Sequence, residues 1–256
     1  IPSANAIAQG DNLSDYVSGN NIPALMSTTN ADNATGWSWS ILRNINYFLD
    51  NCNTSPDIPE ATRNSYAGIA KFFRALFYFG MVKQYGDVPW YSHALSTTDP
   101  ELYKPRDPRT LVMDSIVADL DFAIANAPSG KDNSSSTITK WVALALKSRV
   151  CLFEGTFRKY HTELNLGSTA DDYLNMAIDA SAMIMNSGNY KLHNTGHPYS
   201  DYRALFTTEA PLSDEVILAS VYSDALKHWN NLTSYFTSPT LGNRSSLNKQ
   251  FVDTYL

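Results

Sequence analysis

The chain has 256 residues, of which 43% are apolar and 17% charged, with a formal net charge of −6. That balance suits one or two folded domains with a sizeable core and argues against intrinsic disorder. No basic block offsets the negative charge, which would repel a phosphate backbone and speaks against nucleic acid as a partner. No run of about 18 apolar residues is present to span a membrane.

Residues 1–36 are rich in Asn, Ser, Thr, Asp and Gly and read as a loop segment. Ile1-Pro2-Ser3-Ala4-Asn5 has neither the basic nor the apolar region of a secretion signal, so any targeting segment is expected upstream or removed. From Trp39, apolar positions at Leu42, Ile45 and Leu49 predict a helix that ends near Asn51-Cys52-Asn53. A second helix is predicted over 59–85. Tyr66, Ile69, Ala70, Phe73 and Phe77 make one stripe on it and Phe72, Leu76 and Phe79 another, so it should pack between two neighbours. Gly86-Asp87-Val88-Pro89 stops it, and a polar, Pro-rich connection fills 86–109.

Helices follow over 110–127 (Leu111, Ile116, Leu120, Ala123, closed by Pro128), 139–160 and 171–186. Beyond them, 189–192 and the β-branched run 215–222 predict short strands. A helical pattern begins at Ser246 and runs to the end of the sequence. Cys52 and Cys151 read as unpaired thiols in or beside helices, with no spacing that suggests a metal.

Internal spacing hints at a repeat. Trp141, Leu144, Ala145 and Ser148, like Tyr66, Ile69, Ala70 and Phe73, fit the first helix of a tetratricopeptide unit, with Ala70 and Ala145 as the small residues of close contact. Ile116, Leu120, Ala123 and Pro128 fit the second helix, and Ala177, Ser181 and Ile184 a weaker copy. The predicted architecture is therefore mostly α: an irregular tetratricopeptide-like helix-pair scaffold with long loops and a few short strands. Its pairs are 59–85 with 110–128, and 139–160 with 171–187. The helical scaffold is expected over 37–187, and 188–256 as a strand- and loop-rich segment of the same region.

At this point family features become visible. Gly68-Ile69-Ala70-Lys71-Phe72-Phe73-Arg74-Ala75-Leu76-Phe77-Tyr78-Phe79, followed by Tyr85-Gly86-Asp87-Val88-Pro89, resembles the hallmark helix and turn of the SusD/RagB family. Leu42 to Leu49, Pro105-Arg106, Ile116 to Ala123, Ala143 to Val150 and Glu215-Val216-Ile217 are similar to further family segments, in the family's order. The resemblance covers roughly 37–256. Full family chains are longer and begin with a lipoprotein signal, so it implies the first half of such a protein, without its extreme N-terminus. It further implies non-catalytic capture of oligo- or polysaccharide at the extracellular face of the outer membrane and delivery to a SusC-like TonB-dependent transporter. Membrane attachment would come only through a lipid anchor that this chain lacks.

Sugar rings stack their C–H faces on aromatic planes while their hydroxyls seek amide, carboxylate and guanidinium partners. Members of the resembled family often place a ligand-facing aromatic where Trp37 and Trp39 stand. Two residues apart in an extended turn, they should point opposite ways. Trp39 shares the register of Leu42 and Asn46 and should close the core, leaving Trp37 exposed. Trp229, Asn231 and Tyr235 form a second candidate platform. Trp90 and Tyr91 read as structural, as do Arg74, Asp87 and Arg149, while 86–109 is a candidate transporter-facing surface.

Enzyme signatures fail. Asp119 with Asp121, and Asp171 with Asp172, read as solvated helix charges rather than a hydrolytic pair. No G-x-S-x-G, H-E-x-x-H or phosphate-binding Gly loop occurs. His193 and His197 have metal-like spacing, but Gly196 and Pro198 oppose the helix that would align them. No metal or cofactor is expected. The rival class is a helical-repeat scaffold that binds protein rather than glycan.

Overall fold

The computed structural model describes residues 17–18, 36–54, 57–222, 224–225, 227–229, 246–247 and 252–253. Its chain divides into two compact units, one of residues 37–219 and one of residues 1–36 with 220–256. In the second unit Val17–Ser18 (β1) and Ser246–Leu247 (β2) pair antiparallel, so the helical pattern expected from Ser246 opens in a strand instead. The rest of that expected helix lies largely outside the described residues.

The larger unit is built from helices: α1 (Ser40–Asn51), α2 (Glu60–Tyr85), α3 (Arg109–Asn126), α4 (Lys140–Tyr160), α5 (Ala170–Met185) and α6 (Pro198–Thr207). The first five fall where apolar periodicity predicts them. α2 packs chiefly on α3 and α4 on α5, which are the two expected pairs, and α3 also touches α4. The scaffold is mostly α and tetratricopeptide-like, as its spacing predicts.

α3 is the middle layer. Val112, Met113, Ile116, Leu120 and Ala123 expose 0% of their surface, and each large apolar side chain so buried contributes about 1.5–3 kcal/mol. Leu111, expected in the same stripe, is 43% exposed because it faces away from both neighbours. α2 buries Phe72, Ala75, Tyr78, Phe79 and Val82, whereas Tyr66 and Leu76 point to solvent.

Close helix approach is visible at glycines. A Cβ on Gly68 would meet Ala123 Cα and the Ala127 amide at 3.5 and 3.4 Å, ordinary contact distances. A Cβ on Gly155 would meet Leu174 Cγ at 2.7 Å and the Ala170 carbonyl at 3.0 Å, so α4 and α5 meet more tightly there. Ala70 and Ala145, the residues expected at these contacts, are only half-buried.

Two ion clusters are buried between helices. Asp119 takes a bidentate pair from Arg74 at 2.6 and 2.9 Å and a third donor from Lys71 at 2.9 Å. This corrects the expectation that Asp119 is a solvated surface charge: it faces α2, not solvent, and is 3% exposed. Glu154 sits between Arg109 (2.7 Å) and Arg158 (2.8 Å) and is itself fully buried. Arg149 lies on the exposed face of α4. Both cysteines are free; Cys52 is half-buried, and burial pushes the Cys151 thiol up to about 11.

Beyond α5 the sequence-based expectations fail in two places. Neither 189–192 nor 215–222 forms a strand. Their backbones are tied to loops singly, Lys191 N–H to Asp214 O at 2.9 Å and Ala219 N–H to Ser135 O at 2.7 Å, without a ladder. Conversely, α6 starts at Pro198, which stands at a first-turn position where a missing N–H costs nothing. His197 immediately precedes α6 and donates its N–H to Asp201, so His193 and His197 share no helix.

Candidate functional site

The turn before α1 and the 86–109 connection enclose a cleft of about 590 Å³. One wall is Trp37, Trp39, Arg43 and Asn46. The other comes from the connection, with Tyr91, His93, Lys104 and Arg106.

The connection is shaped from its neck outward. Gly86 ends α2 at φ +71°, a left-handed conformation that favours glycine, with its N–H on Val82 O at 3.0 Å. The Asp87 carboxylate accepts the Arg109 N–H at 2.8 Å, satisfying a first-turn donor of α3. Val88 and Asp107 pair across the neck, with Asp107 N–H on Val88 O at 3.2 Å. The Asp107 side chain accepts the Trp90 N–H at 2.7 Å.

The far end of the loop is held from beneath. Buried Asn46 donates to Tyr91 O at 2.9 Å and to His93 O at 3.0 Å. Arg74, already clamped to Asp119, donates to Asn46 Oδ1 at 3.1 Å and to Ser92 O at 3.0 Å. The Tyr78 hydroxyl accepts the Tyr91 N–H at 2.6 Å and donates to Pro89 O at 3.3 Å. Burial raises the pKa of that hydroxyl well above the phenolic range, so it remains a neutral donor and acceptor. Arg74 and Asp87 thus act as scaffold, as their family positions suggest, while buried Asp119 anchors the cleft floor.

Trp37 and Trp39 do not part company. Their rings meet edge to face at 5.1 Å, both are half-buried, and both line the cleft. Residues 37–39 form no strand and lead directly into α1 at Ser40, so the alternation of a strand does not apply to them. Trp37 also meets the edge of Tyr85 at 4.9 Å and carries the Arg106 guanidinium over its ring at 5.1 Å. Trp39 adds edge contacts to Phe77, Tyr78 and Tyr91. Trp39 therefore closes the core and faces the cleft at once.

Trp229 belongs to the smaller unit, where it is 57% exposed and donates Nε1–H to Asp224 at 3.0 Å. Asn231 and Tyr235 lie outside the described residues. Trp90 packs on Tyr78 at 4.2 Å, a structural position as expected. Tyr91, read as structural, lines the cleft as well, with Lys104 Nζ 4.9 Å above its ring. Arg43, Asn46, His93 and Arg106 were not legible as cleft residues, because the two walls, α1 and the 86–109 connection, are distant in sequence.

Chemically, the cleft offers flat aromatic surface rimmed by amide, hydroxyl and guanidinium groups. Among the described residues that line it, none is Asp or Glu, so it presents no carboxylate pair for glycosidic hydrolysis. No three His, Cys, Asp or Glu side chains gather into a metal site among the described residues, and no described helix is long and apolar enough to cross a membrane.

A family model for SusD-like proteins, described as starch-binding and associating with the outer membrane, matches residues 5–152, more than half of the chain. The chain belongs to the SusD-like family. A SusD-like protein, P25, of Formosa agariphila is 26% identical over 117 residues, covering 45% of this chain and 22% of its own. The structure of a SusD superfamily protein from Parabacteroides distasonis superposes with TM-score 0.68 at 20% identity, over 98% of this chain and 54% of that one. A structure determined with a xylogluco-oligosaccharide gives TM-score 0.63 at 21% identity, over 88% of this chain and 44% of that one. These likenesses show the shared fold. This SusD-like chain spans about half or less of the length of each of these relatives.

Proposed function

We propose that this SusD-like chain binds oligosaccharide in the cleft between α1 and the 86–109 connection, without catalysing its cleavage. The observation that carries the reading is the aromatic wall of Trp37, Trp39 and Tyr91 in a cleft of about 590 Å³, large enough for several sugar rings. Stacked rings contribute on the order of 1 kcal/mol each, so useful affinity needs more than one platform. Trp229, Asn231 and Tyr235 would add a second platform. Family membership and a structural neighbour determined with a xylogluco-oligosaccharide support the class of ligand. In the whole protein, such binding would serve delivery to a SusC-like TonB-dependent transporter from a lipid-anchored position on the extracellular face of the outer membrane.

The test is a titration of the full-length protein with oligosaccharides of graded length, followed by tryptophan fluorescence. Binding is expected to strengthen with length and to weaken about fivefold in Trp37→Ala and in Trp39→Ala, as loss of one stacked ring implies. Unchanged affinity in both variants would remove the cleft from the account. A protein-binding scaffold is a second reading, favoured by the solvent-facing aromatics of α6, Tyr199, Tyr202 and Phe206, which are 98%, 70% and 72% exposed. It would be preferred if no glycan bound and substitution of these three abolished association with the transporter.

A further inference from the structure

The charge of the cleft runs against that of the protein. The chain carries a formal net charge of −6, yet the cleft is lined by Arg43, Lys104 and Arg106, with His93 beside them and no carboxylate among its described lining residues.

These cations are not equivalent. Lys104 is committed: it ion-pairs with Asp107 at 3.0 Å, lies 3.7 Å from Glu101 and donates to Trp90 O. His93 lies 3.4 Å from Asp99. Arg43 and Arg106 have no carboxylate partner among the described residues. Arg106 is oriented by two backbone carbonyls, Tyr85 O at 3.3 Å and Asp87 O at 3.4 Å, and by the Trp37 ring. Arg43 projects from the exposed side of α1, one turn after Trp39, and its side chain has no partner among the described residues.

From this we infer that the cleft selects anionic glycans, oligosaccharides bearing uronate carboxylates or sulfate esters, over neutral ones of equal length, through Arg43 and Arg106. The inference rests on the glycan-binding reading above and adds the ligand's charge to it. A guanidinium is planar, always charged and matches the two oxygens of a carboxylate or sulfate with paired N–H donors. With Lys104 paired to Asp107 and His93 beside Asp99, the uncompensated charge of the lining is that of Arg43 and Arg106, and apolar walls strengthen its pull on an oppositely charged ligand. Trp37 and Trp39 would take the sugar faces while the two arginines, one on each wall, read the acidic substituents.

The decisive measurement is calorimetric titration of the full-length protein with three tetrasaccharides: neutral galactose, galacturonate and sulfated galactose. Each is measured at about 50 and 500 mM salt, spanning strong and weak screening. At low salt one or both anionic ligands should bind at least tenfold tighter than the neutral one, an advantage that shrinks at high salt. Which arm wins separates carboxylate from sulfate. Arg43→Gln and Arg106→Gln should each weaken the anionic ligand about tenfold, the size expected for a charged hydrogen bond, and weaken the neutral one by a clearly smaller factor. Because Arg106 also ties two carbonyls, Arg106→Lys provides a folded control that keeps the charge but loses the paired geometry.

Equal affinity for all three ligands, insensitive to salt and to both arginines yet lost in Trp37→Ala, would overturn charge selection and leave glycan binding standing. No binding in any arm, with neutral glycans of other linkages also silent, would overturn both.

Discussion

The two helix pairs use the same polar device for different ends. In each, one buried carboxylate lies between two cations: Asp119 between Lys71 and Arg74, Glu154 between Arg109 and Arg158. α3 contributes to both, Asp119 toward α2 and Arg109 toward α4. In the first cluster Arg74 still has donors to spare, and these go to Asn46 and the Ser92 carbonyl, so the ion pair holds up the cleft. In the second, Arg158 gives Nη1 to Thr169, while Nη2 has no partner among the described residues. That cluster ties α3, α4 and the start of α5 together, and its side chains bond to no other residue of the 86–109 connection among the described residues. Similar chemistry thus serves a binding site in one place and cohesion in the other.

If that division is right, the largest stability effect belongs to the second cluster. Glu154→Gln strands two buried guanidiniums with no alternative carboxylate and should cost about 3–5 kcal/mol, read as a drop in the urea midpoint. Oligosaccharide affinity measured well below the unfolding transition should not move. Asp119→Asn should cost somewhat less, about 3 kcal/mol, because Lys71 is partly exposed and Arg74 keeps Asn46 and Ser92 as acceptors. Here affinity should fall together with stability. Equal effects of the two variants on binding would erase the distinction between the pairs.

Asn46→Ala isolates the connection from the ion pair. It removes the two donors on Tyr91 O and His93 O and one acceptor of Arg74, which should cost about 1–3 kcal/mol of stability. The telling readout is binding: a loosened cleft wall should lower affinity for a tetrasaccharide several-fold although Asn46 itself sits at the base of the wall. Full affinity would mean that the connection holds its shape without this tether.

How much of this could be read from the sequence depended on whether the signal was local. α1 to α5 were legible because each buries a stripe at helical spacing, and the stop at Gly86 directly follows the helix it ends. The cleft was half legible. Trp37 and Trp39 stand out as aromatics in a polar turn, but their mutual contact depends on the course of an irregular turn that local pattern does not reveal. Arg43, Tyr91 and Arg106 come together through a loop about 20 residues long whose course is set by Asn46, Arg74 and Tyr78, partners that local pattern does not reveal. Asp119 misled because a charge on an amphipathic helix ordinarily faces water; its partner lies on a different helix. α6 was missed because Gly196 and Pro198 read as breakers, although Pro at a first-turn position starts a helix.

The smallest predicted effect compares the pairs where neither cluster acts. Gly68→Ala and Gly155→Ala both add one methyl group at a close helix crossing, and both gain roughly 1 kcal/mol of helix propensity. At Gly68 the new carbon would rest at 3.4–3.5 Å from Ala127 and Ala123, so the gain should survive and the protein should become slightly more stable. At Gly155 it would press on Leu174 at 2.7 Å and on the Ala170 carbonyl at 3.0 Å. The leucine can rotate, but the carbonyl belongs to the first turn of α5 and yields only if the helix moves. That overpacking costs about 1–3 kcal/mol, so the net change should be a loss of up to about 2 kcal/mol. Opposite signs in paired urea melts are therefore expected. A stabilised Gly155→Ala would show that α4 and α5 can part by a few tenths of an ångström, and the second pair would then be the looser of the two.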